Sequence, residues 1–375
     1  MNRNIMLVFL VFIMAIVGGY SFFCIRRLLR FYIRKKDRWM DVASALAAVV
    51  LVFSCYRIWK FNSVVVLHIL GAFLAFDLLA AVVSTLWKRF GNTKVPAWKI
   101  CGKIYQCGVL PLLLAAALLG YGYYNMRHFV STTYEIATPK LSSDYHIILI
   151  TDIHYGTIQD TKLLKEAAKE ISGLGADLVI LGGDIVEEGT TKELMQEVFM
   201  VLGGIESTYG TYYVYGNHDL QPYTDHQQYT KEELELAAKQ AKVKILCDSY
   251  VKFGDELILA GRDNAAWDGT GRAGTKELLE GASKENYIIM VDHQPTGVQE
   301  NEEQGVDLML SGHTHAGQVW PAGTILELAG RYNYGSYLYG NLQLIVSSGF
   351  TGWGYPLRTQ RHCEYVQIFL VPSGK

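Results

Sequence analysis

Residues 146–154 read His-Ile-Ile-Leu-Ile-Thr-Asp-Ile-His, and residues 306–315 read Val-Asp-Leu-Met-Leu-Ser-Gly-His-Thr-His. In each, a short apolar run gives way at once to carboxylate and imidazole groups. Such runs between turn residues read as buried strands, so His146–Thr151 and 306–310 are expected to be strands. The same construction recurs three times between them. Val179-Ile180-Leu181 leads into Gly183-Asp184-Ile185-Val186-Glu187, Tyr212-Tyr213-Val214 into Gly216-Asn217-His218-Asp219, and Ile288-Ile289-Met290 into His293. Amphipathic stretches at Lys162–Ile171, Lys192–Leu202 and Lys231–Lys239 separate the early runs, which predicts βαβ units around a largely buried sheet. Later runs at 243–246, 256–260, 287–291, 342–347 and 364–371 have fewer helices between them and predict a second, more mixed sheet. Each polar cluster then falls at the carboxyl end of a strand, where α/β sheets place their ligand crevices.

Composition divides the chain in two. Half of its 375 residues are hydrophobic and 19% are charged, too apolar a balance for an ordinary soluble protein. Residues 1–125 carry 15 Lys/Arg against 3 Asp/Glu, a net +12, whereas residues 126–375 carry 19 against 33, a net −14. The acidic half excludes nucleic acid as the main partner, because phosphate backbones require basic stripes. Cys24, Cys55, Cys101 and Cys107 lie in or beside apolar segments and read as small core residues. Cys247 and Cys363 are either a disulfide or two free thiols.

The basic half reads as membrane-embedded. Apolar stretches at about 5–24, 40–57, 63–87 and 104–125 each approach or exceed the length of about 20 residues that spans a bilayer core. No cleavage site follows the first, which is therefore expected to be retained. Basic residues gather in two loops. Arg26, Arg27, Arg30, Arg34, Lys35 and Lys36 fall in 25–39, and Lys88, Arg89, Lys94, Lys99 and Lys103 in 88–103. The N-terminus offers only Arg3, and the second turn only Arg57 and Lys60. The positive-inside rule puts both basic loops in the cytoplasm, and hence the N-terminus and the acidic half outside. Residues 126–144 read as a tether to a domain over 145–375. Asp77 and His68 fall inside the third span, where ionisable groups serve either an interhelical hydrogen bond or transport.

Asp152, His154, Asp184, Asn217, His293, His313 and His315 supply seven oxygen and nitrogen donors of the kind zinc, manganese and iron accept. That is enough for two divalent cations sharing one carboxylate, for which Asp184 is the bridging candidate. Such a pair suits in-line attack on phosphorus by a metal-bound hydroxide. His218, beside Asn217, is placed to protonate the leaving alkoxide.

The series D-x-H, G-D-x-x-E, G-N-H-D, H and G-H-T-H resembles the calcineurin-like metallophosphoesterase superfamily, and most of all its membrane-anchored bacterial branch. The motifs cover roughly residues 145–320. The resemblance implies a four-layer α/β/β/α sandwich and a phosphomonoester or phosphodiester hydrolase. It implies one metal on Asp152, His154, Asp184 and His315, and a second on Asp184, Asn217, His293 and His313. It also implies His218 as catalytic acid, oriented by Glu187 in place of the usual aspartate. Ala316 stands where the branch usually has glycine, a change that bears on backbone freedom more than on ligation. The expected partners are membrane lipids and a phosphoester substrate, either envelope lipid phosphates or nucleotide-linked lipids.

Two other classes remain open at this stage: a catalytically silent membrane sensor or scaffold, and a transporter using Asp77 and His68. No P-loop, dinucleotide-binding glycine motif or nucleophilic Ser or Cys with partners is present. Asp219 reads as a cap for the segment after it, and Arg262, Asp263 and Arg358 as surface ion pairs. The Tyr332–Tyr339 run reads as sheet packing.

Overall fold

The computed structural model describes residues 3–33, 38–55, 60–90, 96–156, 161–264 and 271–374. The chain separates into two compact units, Met1–Tyr121 and Gly122–Lys375.

The first unit is helical: α1 (Arg3–Ile33), α2 (Arg38–Ser54), α3 (Phe61–Phe90), α4 (Pro96–Cys107) and the start of α5 (Val109–Asn125). Among the described residues, Val11–Ile33 and Phe61–Arg89 are long and apolar enough to cross a membrane. A third candidate exists if the helices on either side of Gly108, bent by 49°, form one span. The expected spans at about 5–24 and 63–87 fall in these two helices, and that at 104–125 in the bent pair. α2 has only 17 residues, short of the length of about 20 that a bilayer core needs. α1 also continues through Arg26, Arg27 and Arg30, which were expected in a loop. Arg34, Lys35, Lys36, Arg57 and Lys94 lie outside the described residues. The oxygens of Asp77 are engaged by Arg27 Nη1 at 2.6 Å, Tyr20 OH at 2.8 Å and Tyr105 OH at 3.0 Å. His68 Nδ1 lies 2.8 Å from the Val64 carbonyl. Asp77 thus joins helices through an ion pair and two phenols, the structural alternative of the two.

The second unit is built from two six-stranded sheets. One has the order β1 (Phe129–Thr138), β12 (Cys363–Pro372), β2 (Tyr145–Ile150), β3 (Leu178–Leu181), β4 (Thr211–Tyr213), β5 (Val243–Ile245). β2 to β5 run parallel, joined by α6 (Thr161–Ser172), α7 (Lys192–Gly203) and α8 (Lys231–Gln240). The other has the order β10 (Gly335–Tyr339), β11 (Leu342–Val346), β9 (Leu308–Ser311), β8 (Tyr287–Val291), β7 (Leu257–Gly261), β6 (Ser249–Phe253). Its inner strands are parallel and both its edge pairs antiparallel. Three short helices, α9 (Thr275–Leu278), α10 (Val298–Gln304) and α11 (Ala322–Leu328), complete the unit.

Alternation along β2 shows why four layers form. Ile148 and Ile150 point to one face and pack with Leu164, Met195, Phe199 and Leu234 of the helices. Ile147 and Leu149 point to the other and meet Leu259, Ile289 and Leu310 of the second sheet. Beyond that sheet, Ile258, Ile288 and Met309 pack on Leu278 and Val298. Both faces of each sheet are therefore apolar, and the α/β/β/α order follows from the period of two. Burying each such side chain contributes roughly 1.5–3 kcal/mol.

One expectation changes here, and one open alternative closes. Residues 129–138, assigned to the tether, form β1 and pair in parallel with β12 from Phe129↔Cys363 to Thr138↔Pro372. Cys247 and Cys363 are both free thiols, and Cys363 is buried.

Candidate metal centre

The strand ends deliver every cluster to one edge of the two sheets. There the backbone leaves the extended region abruptly. Asp152, His154, Asp184, His313 and His315 all have positive φ, between 47° and 71°. This left-handed conformation is uncommon for non-glycine residues and concentrates at functional sites. Neighbouring glycines make room for them: a Cβ at Gly216 would overlap Asp184 Oδ1, and one at Gly312 would overlap Asp152 Oδ2. Ala316, the departure from the family pattern, is itself left-handed at φ 52° and fully buried. The alanine thus retains the conformation for which glycine is the unstrained choice.

Two triads assemble around Asp184. Ligand atoms of Asp152, His154 and His315 lie within 4.8 Å of one another, as do those of Asp184, His293 and His313. Asp184 Oδ2 stands between them, 3.8 Å from His154 Nε2 and 3.0 Å from His293 Nε2. His154 Nε2 and His315 Nε2 approach to 3.2 Å, and His315 Nε2 is 3.5 Å from Asp152 Oδ1. Asn217 joins the second group, its Oδ1 lying 2.8 Å from His313 Nδ1. All seven sequence-derived candidates therefore meet at one place.

Two of the imidazoles are held from behind so that Nε2 points inward, and a glutamate faces a third. His293 Nδ1 donates to the Gly182 carbonyl at 2.8 Å, and His315 Nδ1 to the Thr351 carbonyl at 3.3 Å. His154 Nδ1 lies 3.2 Å from Glu187 Oε2. Orientation through the far ring nitrogen is the usual arrangement of metal-ligating histidines.

The electrostatics fit the same group. His293 Nε2 is buried and lacks a hydrogen-bond partner, lying close to Asp184 but off the hydrogen-bond direction. Burial alone would lower His293, but the charges of Asp184 and Asp152 outweigh it and push it up to about 10. Burial holds His315 down to about 3, and burial beside His293 holds His313 down to about 4. Burial would raise both carboxyls, yet the surrounding imidazoles hold Asp152 below and Asp184 well below the usual range. Two buried anions, the neutral rings of His313 and His315, and a His293 whose proton a cation can displace are a donor set suited to borderline divalent cations.

His218 sits beside this centre. Its backbone N–H donates to Asp184 Oδ1 at 2.8 Å, and its ring lies 5.2 Å from that of His154. Its Nδ1 lies 2.8 Å from Glu188 Oε2. The residue expected to orient it, Glu187, turns instead to His154, so the two adjacent glutamates divide the work differently from the motif.

Other readings are also corrected. Asp219 does not cap the segment that follows. Its buried carboxylate accepts the backbone N–H groups of Asp184, Ile185, Val186 and Gly216 at 2.6–3.1 Å, locking two ligand loops together. Arg358 is fully buried rather than in a surface ion pair. Its guanidinium donates to the carbonyls of His315, Ser348 and Thr351 at 2.6–3.0 Å. Arg262 is buried as well and contacts Asp292 and Glu300, while Asp263 accepts the Asn264 N–H. Tyr334 and Tyr337 hydrogen-bond within the protein, in line with packing. A cavity of about 1130 Å³ opens beside the second triad and is lined by Asn217, Tyr223, His313, Leu326, Arg331 and Tyr339 among others.

A two-sheet sandwich with paired acid and imidazole triads at its strand ends defines a metal-dependent hydrolase. Residues 145–317 match the family described as calcineurin-like phosphoesterase. A Helicobacter pylori protein named uncharacterized metallophosphoesterase is 31% identical over 69% of this chain and 70% of its own length. A Danio rerio transmembrane protein with metallophosphoesterase domain is 26% identical over 98% of this chain and 80% of its own. A Bacillus subtilis metallophosphoesterase is 27% identical over 73% of this chain and 99% of its own. The chain belongs to the calcineurin-like phosphoesterases. Membership makes it a metal-dependent phosphoester hydrolase, and its apolar helices and transmembrane relatives support membrane association.

Proposed function

We propose that residues 145–375 form a two-metal phosphoester hydrolase at the outer face of the cell membrane, acting on envelope lipid phosphates or nucleotide-linked lipids. The observation that supports it most is the position of Asp184 Oδ2 between His154 and His293, each in its own triad. Asp152, His154, Asp184 and His315 would hold one divalent cation, and Asp184, Asn217, His293 and His313 the other. Two such cations lower the pKa of bound water and offset charge on phosphoryl oxygens. Manganese, iron and zinc all suit these donors.

The protein's own groups supply the rest. His218 is held at Nδ1 by Glu188, which leaves Nε2 to deliver a proton to the departing alkoxide. Asp219 and Arg358 fix the loops that carry Asp184 and His315, so the donors are in place before substrate arrives. The outer-face assignment rests on charge. The basic 88–103 segment belongs in the cytoplasm, and one crossing by α4 and α5 carries the acidic unit to the other side. A lipid-linked substrate follows from the tie between this unit and the bilayer.

The test is turnover by the full chain, reconstituted in bilayers with manganese, iron or zinc. The substrates are a soluble phosphomonoester, a soluble phosphodiester, phosphatidic acid and a nucleotide-diphosphate lipid. Metal-dependent hydrolysis of a lipid substrate above that of soluble esters is expected. Absence of hydrolysis with every metal would overturn the enzymatic reading, and preference for soluble esters the lipid one.

A further inference from the structure

The helix after the Gly312–His315 loop turns large apolar side chains outward. Trp320, Ile325 and Leu328 are 61%, 59% and 84% exposed. Ile325 and Leu328, three residues apart, share one face of α11. Leu326 instead lines the cavity that Asn217 and His313 also line. α11 is therefore a wall, with the cavity on one side and an uncovered apolar face on the other.

Two bridges tie this wall to the last turn of α5. The Trp320 N–H donates to Thr359 Oγ1 at 3.1 Å, and Thr359 packs against Gly122. Glu327 Oε1 lies 3.5 Å from Arg361 Nη2, and the Arg361 carbonyl accepts Asn125 Nδ2 at 2.6 Å. α5 is the last apolar helix before the hydrolase unit, and its apolar run ends at Tyr121, Tyr123 and Tyr124, as an interfacial aromatic belt does. The exposed face thus stands where the chain passes from apolar helix to aqueous domain. Arg331 and Arg361 are exposed there, and the Arg127 guanidinium lies 3.6 Å from the Tyr123 ring centroid.

We propose that α11 and Trp320 dock into the surface of the bilayer that anchors the chain, with anionic headgroups against Arg331 and Arg361. An apolar face flanked by cations is the composition that binds the headgroup boundary. Three large apolar side chains this exposed beside a functional cavity mark a contact surface. The chain's own path identifies its occupant. Docking holds the cavity mouth at headgroup level, so that a phosphate on a membrane lipid reaches the metal centre without leaving the bilayer. The inference deepens the proposed function and rests on its membrane anchor.

The full chain carrying 5-fluorotryptophan is placed, one copy per disc, in nanodiscs of phosphatidylcholine and phosphatidylglycerol. The Trp320 resonance is assigned by its absence from Trp320→Phe. The expected result is broadening of that resonance by doxyl-labelled lipid and none by a water-soluble gadolinium chelate. The reverse pattern, in discs that retain the chain, overturns the docking while leaving the anchor standing. Shielding from both agents means protein covers the face and also overturns it. A chain that fails to enter discs defeats the anchor itself. In the double variant Ile325→Asp, Leu328→Asp, lipid broadening should vanish while hydrolysis of a soluble phosphodiester is unchanged. Persistent broadening there contradicts the proposal.

Discussion

The two halves of the metal centre share Asp184 but differ in what stands behind them. Asp152, His154 and His315 are backed by protein: Glu187 lies at His154 Nδ1, and buried Arg358 holds the His315 carbonyl. The half built on His293, His313 and Asn217 reaches the cavity through Asn217 and His313 instead, while His218, held by Glu188, stands at Asp184 with its ring near His154. Under the proposed function, the first half would serve chiefly to hold metal and the second to admit substrate. Changes behind the first should therefore register as metal affinity, and changes beside the second as turnover.

Removing the group common to both should have the largest effect. Asp184→Ala is expected to empty both halves, with metal per chain measured by mass spectrometry falling towards zero and turnover lost. Metal retained at the wild-type level in that variant would break the comparison. Next comes His218→Ala, for which turnover should fall by about 10²–10⁴-fold, the range of a general acid. Metal content should stay unchanged, and full metal loss would contradict its role.

The two glutamates sharpen the contrast. Glu187→Gln should weaken metal binding by about 10–100-fold, as second-shell changes do, while kcat at saturating metal is preserved. Glu188→Gln should do the opposite, lowering kcat and reshaping the pH–rate profile with affinity intact. An exchange of these phenotypes would restore the motif's assignment of Glu187 to His218.

The smallest effect concerns protons. Without metal, His293 keeps its proton up to a pH of about 10, whereas His313 and His315 lose theirs above about 4 and 3. Binding requires neutral imidazole, so at neutral pH cation uptake should release the His293 proton. Affinity should then rise about tenfold per pH unit. Calorimetry in buffers of different ionisation enthalpy counts that proton, and a pH-independent affinity would place His293 outside the ligand set.

Much of the hydrolase unit is readable from periodicity. Ile147 to Ile150 alternate between two apolar layers, and an apolar run ending in Asp-x-His or Gly-His-Thr-His marks its own strand end. What escaped depends on contacts distant in sequence or on local turns. β1 is a strand only because β12, more than 200 residues later, pairs with it. Which of Glu187 and Glu188 faces His218 is set by the turn that begins at Asp184, with φ 51°. Arg358 passes for a surface residue until three backbone carbonyls surround it. Asp219 looks like a local cap because four N–H groups from two loops meet only in the folded chain.

The most direct test of the shared carboxylate is anomalous diffraction from crystals of the manganese-loaded full chain. Two peaks should flank Asp184, one bounded by Asp152, His154 and His315 and the other by Asn217, His293 and His313. A single peak, or two peaks without Asp184 between them, would contradict the account.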